Sequence, residues 1–281
     1  MDAIKPYRGR VSDRLLKEQL EAAGIVLVQG PKWCGKTTTA IHAARSVLFM
    51  DDPKLAKNYL SMAENDPASL FEGEKPRVID EWQLAPKLWD AARYEVDRRC
   101  ATGWLVFTGS AVPADMSQVK HTGTGRFGWL TMRPMSLWES GESNGRMSLL
   151  SLFAGNATDA VSIDMTLERI AYLVCRGGWP GALSMSESSS LRHARNYVDA
   201  VCNSDITRVD GVSRDPSLAR LVMRSFARYQ GAQATIGSIA ADVSSSRSES
   251  VSNDTVASYL KALKNIFVIE DMPACPRLRR C

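Results

Sequence analysis

The stretch Gly30-Pro31-Lys32-Trp33-Cys34-Gly35-Lys36-Thr37 constrains this chain more than any other. Its spacing, G-x-x-x-x-G-K-[ST], is that of a loop whose backbone amides wrap an anion. Ile25-Val26-Leu27-Val28, just before it, is short, β-branched and apolar, the pattern of a buried strand. Thr38 to Arg45, just after it, reads as a helix. A strand, a glycine loop and a helix N-terminus in succession make a phosphate cradle, because the loop amides and the first helical N–H groups have no intrahelical partners. The cradle runs from Gly30 through Thr38; Lys36 is placed to reach the β- and γ-phosphates of a nucleotide, and the Thr37 hydroxyl to ligate Mg²⁺.

A second acidic element is expected downstream. Val78-Ile79 leads into Asp80-Glu81, an apolar strand ending in two carboxylates about fifty residues after the loop. At that position Asp80 would hold the Mg²⁺ shell and Glu81 would polarise an attacking water. Gly103 to Ser110 is another strand, and its terminal Thr108 or Ser110 would either touch the γ-phosphate or cap the strand–loop corner. His121 to Phe127 is a glycine-rich loop carrying Arg126, which would either stabilise transition-state charge, in cis or in trans, or form a structural salt bridge. Upstream, Ser12 to Ala23 reads as an amphipathic helix with Ser12 as N-cap. Tyr7, Arg8 and Arg10 precede it, and a solvated surface arm is favoured there over contacts with a nucleotide base. Strands at Ser46–Met50 and Trp129–Met132 and helices over 54–64 and 86–99 complete a βα alternation, which implies a parallel, helix-covered sheet.

Composition narrows the class. In 281 residues, 44% are hydrophobic and 23% charged, as in an ordinary globular protein, and no apolar run approaches the roughly 18–20 residues of a membrane span. The six cysteines are scattered without a C-x-x-C pair, which argues against a zinc site or a disulfide framework and for a reducing cytoplasm. The net charge of +4 is not concentrated: residues 1–150 carry 20 Lys and Arg against 18 Asp and Glu, and residues 151–281 carry 15 against 13. Charge alone therefore makes no case for nucleic acid.

After Pro134 the character changes to polar breaks and helical patterns, interrupted by Arg176-Gly177-Gly178-Trp179-Pro180-Gly181. Helices are expected over 192–209, 215–229, 236–243 and 255–264, followed by a strand over Ile266–Asp271. That order suggests a winged helix-turn-helix, a module that can dock on DNA or only on protein. Its last helix offers Ser258, Tyr259, Lys261, Lys264 and Asn265, little positive charge for a groove.

Taken together, GPKWCGKTTTA at 30–40, IDEWQ at 79–83, FTGSA at 107–111, HTGTGR at 121–126, RPMSLWES at 133–140, RGGWPGAL at 176–183 and SNDTVASYLKALKNIFVIED at 252–271 resemble the prokaryotic AAA+-type P-loop ATPases that carry a C-terminal domain of unknown function. The resemblance implies an α/β ATPase core over 1–140, a helical lid-like region over 141–212 and a winged-helix-like region over 213–281. It implies ATP and Mg²⁺ as ligands. Lys36 and Thr37 match the phosphate loop, Asp80 and Glu81 the second acidic motif, Thr108 or Ser110 the sensor strand, and Arg126 a Gly-Arg element. Proteins of this kind usually continue past the winged helix, so a truncated member is expected. The expected activity is ATP hydrolysis coupled to the C-terminal module. The alternative is a nucleotide-gated regulator that contacts DNA or a protein partner with little turnover, and an arginine acting in trans would require an oligomer.

Overall fold

The computed structural model describes residues 7–109, 122–156 and 165–272. The chain divides into two compact units, residues 1–197 and 198–281.

In the first unit, short apolar runs build a five-stranded sheet from β1 (Ile25–Gln29), β2 (Ser46–Phe49), β3 (Arg77–Asp80), β4 (Leu105–Gly109) and β5 (Phe127–Thr131). All pairings are parallel and the order is β2-β3-β4-β1-β5. β1 sits between β4 and β5, with Ile25 opposite Leu105 on one side and Phe127 on the other. Successive side chains feed opposite faces. Ile25 and Leu27 join Phe107, Phe127 and the helix residues Leu88, Trp89, Ala92 and Val96, while Val26 and Val28 join Leu16, Ala40 and Met132. Here α4 is Lys87–Arg99, α1 is Val11–Ala22 and α2 is Lys36–Ala43. A parallel sheet buried on both faces needs such continuous apolar strands. Trp89 stacks on Phe127 at 3.7 Å between ring centroids, closing the β5 edge of the first layer. α3 (Ala56–Asn65) buries Ala63 and leaves Leu60 and Met62 exposed.

Three shorter or later helices complete this unit: α5 (Leu149–Phe153), α6 (Leu167–Arg176) and α7 (Glu187–Ala200), the last continuing past the division at residue 197. α1 begins one residue before Ser12 rather than after it. Asp13 accepts from the Arg10 amide at 2.7 Å, and Ser12 is buried with its hydroxyl unpaired instead of capping the helix.

The second unit is helical among the described residues. A π-turn over Val201–Asp205 leads to α8 (Ile206–Arg208), then α9 (Pro216–Arg228), α10 (Ile236–Ser245) and α11 (Asn253–Asn265). Asp215, Thr235 and Ser252 cap the last three by accepting from the backbone N–H groups of Ser217, Ser238 and Thr255. The strand expected over Ile266–Asp271 does not form. The Val268 amide donates to Leu263 O at 3.0 Å and the Phe267 amide to Lys264 O at 2.9 Å, with Phe267 at φ +59°. This is a left-handed helix stop, so the apolar run Ile266–Ile269 folds back over the end of α11 instead of extending.

Candidate nucleotide site

Parallel pairing places the C-terminal ends of β1, β3 and β4 on one edge, and the candidate residues follow from that edge. The turn after β1 starts at Gly30, whose φ of +148° and approach to the Met132 carbonyl leave no room for a side chain. It ends at Gly35, φ +102°, which caps α2. Between them Pro31 and Cys34 are buried and Lys32 and Trp33 exposed. The Cys34 side chain joins the core beneath α2, where burial pushes its thiol pKa up, so Cys34 can serve a ligand only through its backbone.

Lys36 is buried and its ammonium lies along the loop, donating to Gly30 O at 3.0 Å and Pro31 O at 2.8 Å. Burial lowers its pKa, against the pull of the Glu81 and Asp80 carboxylates. Thr37, on the first turn of α2, donates to Asp80 Oδ1 at 2.8 Å. The buried Thr108 hydroxyl, from β4, donates to the same oxygen. Thus the loop, the end of β3 and the end of β4 meet at one carboxylate. Glu81 follows at φ +54°, outside the strand, and its carboxylate accepts from the Gln83 side-chain amide. Burial and the neighbouring Asp80 charge raise the Glu81 pKa.

A cavity of about 500 Å³ adjoins the start of α2, lined by Tyr7, Arg8, Arg10, Gly35, Thr38, Thr39, Met135, Pro180, Gly181, Leu183 and Ser184. Its walls include the segment before α1 and the 3₁₀ turn Pro180–Ser184, just after Gly178, which abuts the Met135 backbone too closely for any side chain. Tyr7 stacks on His42 at 3.8 Å and hydrogen-bonds Asp13 and Thr39; burial, with the Asp13 bond, pushes its phenol up to about 12. Arg10 is not a solvated arm. It is buried, donates to Glu139 and to the Cys34 and Arg133 carbonyls, and so corrects the favoured surface reading. Glu139 in turn accepts from the amides of Val11 and Ser136. Burial acts to raise its pKa, but those amides and the guanidinium outweigh it and hold the carboxyl below its ordinary range.

Arg126 is not brought to this edge. It immediately precedes β5, its carbonyl accepts from the Ile25 amide, and its guanidinium pairs with Asp97 at 2.5 Å. A five-residue parallel strand, roughly 16 Å, separates that end of the sheet from the phosphate loop, so the structure does not bring Arg126 to the loop of its own chain. Ser110 lies outside the described residues. Trp33, at φ +64°, stacks on His193 at 5.0 Å, with Tyr197 at 5.9 Å and inclined to it. Gln83 and Glu139 are the residues that sequence reasoning did not single out. Only the strings IDEWQ and RPMSLWES signalled them.

Among the described residues no group of three His, Cys, Asp or Glu side chains could hold a metal ion. A Mg²⁺ ion here would need few protein ligands, since it retains waters and shares phosphate oxygens. The adjacent Thr37 hydroxyl and Asp80 carboxylate are the hard oxygen donors that such an ion takes. No helix among the described residues is long and apolar enough to cross a membrane.

Comparison with known proteins agrees with this geometry. Residues 22–140 match a family model described as an AAA domain, and residues 167–280 match one described as a domain of unknown function, DUF8612. The structure is similar to the Walker-type ATPase PABY2304 of Pyrococcus abyssi, with a TM-score of 0.54 at 13% identity, covering 93% of this chain and 92% of that one. No curated protein matches the sequence. Residues 22–140 thus match an AAA domain, and the fold is similar to that of this Walker-type ATPase.

Proposed function

We propose that the chain binds and hydrolyses ATP with Mg²⁺. The observation that carries this reading is the hydrogen bond joining Thr37 of the phosphate loop to Asp80 of β3, with Lys36 and Glu81 on either side. The loop amides and Lys36 would bind the phosphates, and Glu81 would accept a proton from a water attacking the γ-phosphorus. Thr37 and Asp80 would hold Mg²⁺, which neutralises charge on the phosphate oxygens. Thr108 would fix the Asp80 carboxylate through the hydroxyl it already donates. The cavity beside α2 has the size and the mixed aromatic and apolar walls for a nucleoside. Residues 141–212, which supply Pro180 to Ser184 of that wall, would act as a lid. Residues 213–281 would form the module that responds to it. Arg126, exposed and far from its own loop, would meet a phosphate only in trans, in an oligomer.

Phosphate release from wild type, Lys36→Ala and Glu81→Gln, with ATP binding followed in parallel, tests the proposal. Wild type should turn over, Lys36→Ala should lose binding, and Glu81→Gln should bind without turnover. Hydrolysis by Glu81→Gln at the wild-type rate would remove Glu81 from the role of base. One observation favours the second reading, a nucleotide-gated regulator with slow turnover: the Gln83 amide already occupies a Glu81 carboxylate oxygen. Tight ATP binding by wild type with no phosphate release, alone or with DNA, would select it.

A further inference from the structure

The nucleotide reading leaves unexplained the most buried ion pair among the described residues of the first unit, Arg10 with Glu139, whose side chains are only 4% and 6% exposed. The pair is built with unusual completeness. Arg10 Nε donates to Glu139 Oε1 at 2.9 Å, while its two terminal nitrogens donate at 2.8 Å to the carbonyls of Cys34 and Arg133. Glu139 Oε1 also accepts from the Val11 amide at 2.8 Å, and Oε2 accepts from the Ser136 amide at 2.7 Å and the Ser136 hydroxyl at 2.9 Å. Burying two charges this fully is no route to stability by itself, because desolvation offsets most of the attraction. The arrangement is better explained by what it holds.

What it holds is a peptide of the phosphate loop. A trans peptide is planar, with its C=O and N–H pointing in opposite directions. The Cys34 carbonyl aimed at Arg10 therefore turns the Gly35 N–H away from Arg10. The residue after this peptide is a glycine at φ +102°, so rotation of the peptide plane meets little steric resistance from its own chain. A loop of this kind needs an external lock, and Arg10 lies close enough to supply it: a Cβ on residue 35 would be only 3.1 Å from its terminal nitrogen.

We infer that Arg10 is a positioning residue of the phosphate cradle, locking the Cys34–Gly35 peptide with its N–H toward bound phosphate, and that Glu139 holds Arg10 in that pose. The inference rests on the nucleotide reading above. Residue 10 lies outside the 22–140 segment that matches the AAA domain, so the lock is supplied by the segment before it. Because a loop N–H serves bound substrate and transition state alike, its loss raises KM and leaves kcat nearly unchanged. A merely structural defect does the reverse, lowering the active fraction and hence apparent kcat at constant KM.

The test compares full-length wild type, Arg10→Met, Arg10→Lys and Lys36→Ala for ATP and ADP affinity, for kcat and KM, and for melting temperature. Arg10→Met should weaken both nucleotides about tenfold or more, as for a lost hydrogen bond to a charged group, with the change in KM. Arg10→Lys, which can reach only one carbonyl at a time, should recover part of that loss. Millimolar methylguanidinium should restore affinity to Arg10→Met, since residue 10 borders the open cavity. If Arg10→Met does not fold, Arg10→Lys decides, with an expected KM increase of several-fold. Nucleotide affinity equal to wild type in the folded Arg10 variants would overturn the lock, as would a fall in kcat at constant KM. Failure of wild type itself to bind ATP would instead sink the nucleotide reading, and Lys36→Ala separates the two cases.

Discussion

Substitution of Gly30 by alanine tests the fold and the site in one step. A Cβ at residue 30 would stand 2.1 Å from the Met132 carbonyl oxygen, a backbone atom that no rotamer change can move. One of the two backbones must retreat by about an ångström or more to restore van der Waals contact. Neither is free to do so: the Met132 amide donates to Gln29 O at 2.8 Å, extending the β1–β5 ladder directly under the loop. Overpacking of this kind costs about 1–3 kcal/mol. The backbone region at φ +148°, which only glycine adopts readily, adds about 1–3 kcal/mol more. In a unit of 197 residues the resulting 2–6 kcal/mol corresponds to a melting temperature lower by roughly 4–24 °C. An ångström of displacement in a phosphate loop should also lower turnover by about a hundredfold. Gly125→Ala is the control, since its φ is +80° but nothing lies within 4 Å of an added methyl, and it should cost only about 1–2 kcal/mol with nucleotide affinity unchanged. The assay is thermal denaturation with and without ATP, together with titration of a fluorescent ATP analogue. Wild-type melting and wild-type affinity in Gly30→Ala would refute the reasoning, because the contact that forbids the methyl could not then exist.

Three further outcomes follow from the same geometry. Thr37→Val keeps the shape of the side chain but removes the hydroxyl that meets Asp80, so the Mg²⁺ concentration for half-maximal hydrolysis should rise about tenfold or more, read from a Mg²⁺ titration at saturating ATP. The raised Glu81 pKa places the acid limb of the kcat–pH profile above the ordinary carboxylate range, because the base must be deprotonated to act. For stability the sign is opposite: a raised folded-state pKa contributes stability below the unfolded value of about 4.3 and loses it as pH rises through the folded pKa. Glu81→Gln should therefore melt higher than wild type at neutral pH, with the difference vanishing in acid. Among the described residues of the second unit Arg214, Arg220, Arg228, Arg247 and Lys264 are each paired with an aspartate, which reduces the charge they offer to DNA. DNA affinity, measured by anisotropy between about 50 and 200 mM salt, should be weak; a loss of about a thousandfold over that range would instead establish phosphate contacts.

Much of the sheet was legible because its signals are local. Ile25–Val28, Val78–Ile79 and Leu105–Phe107 are apolar runs short enough to be strands, and each ends in the residue types that a phosphate site needs. Lys36, Thr37 and Asp80 could be named because strand, turn and helix follow one another within a few residues. The distance of Arg126 from its own phosphate loop was itself readable. β5 is parallel to β1 and begins one residue after Arg126, so the arginine belongs to the opposite edge from the loop that follows Gln29. Arg10 could not be read in this way, since its burial depends on Glu139, 129 positions away, and local pattern makes it an arm residue. Ile266–Ile269 misled because apolar, β-branched runs look alike whether they pair as strands or fold over a helix end. The deciding hydrogen bonds, to Leu263 and Lys264, come from the preceding helix.

Backbone strain gives the site a mark that does not depend on motif matching. Four non-glycine residues among those described have positive φ: Trp33, Glu81, Cys100 and Phe267. Cys100 and Phe267 follow α4 and α11, where a left-handed residue is the ordinary way to stop a helix. Trp33 and Glu81 stop no helix; they lie in the phosphate loop and just beyond the β3 carboxylate. Each is held by a contact of its own side chain, Trp33 by the His193 ring and Glu81 by the Gln83 amide. A bulky or charged residue persists in this region only where its surroundings over-determine it, and such residues gather where geometry serves chemistry. The two strained residues therefore bracket the same edge that Lys36, Thr37 and Asp80 define. Trp33, exposed, stacks on His193 of α7, so the strained loop residue is held by a ring outside the loop.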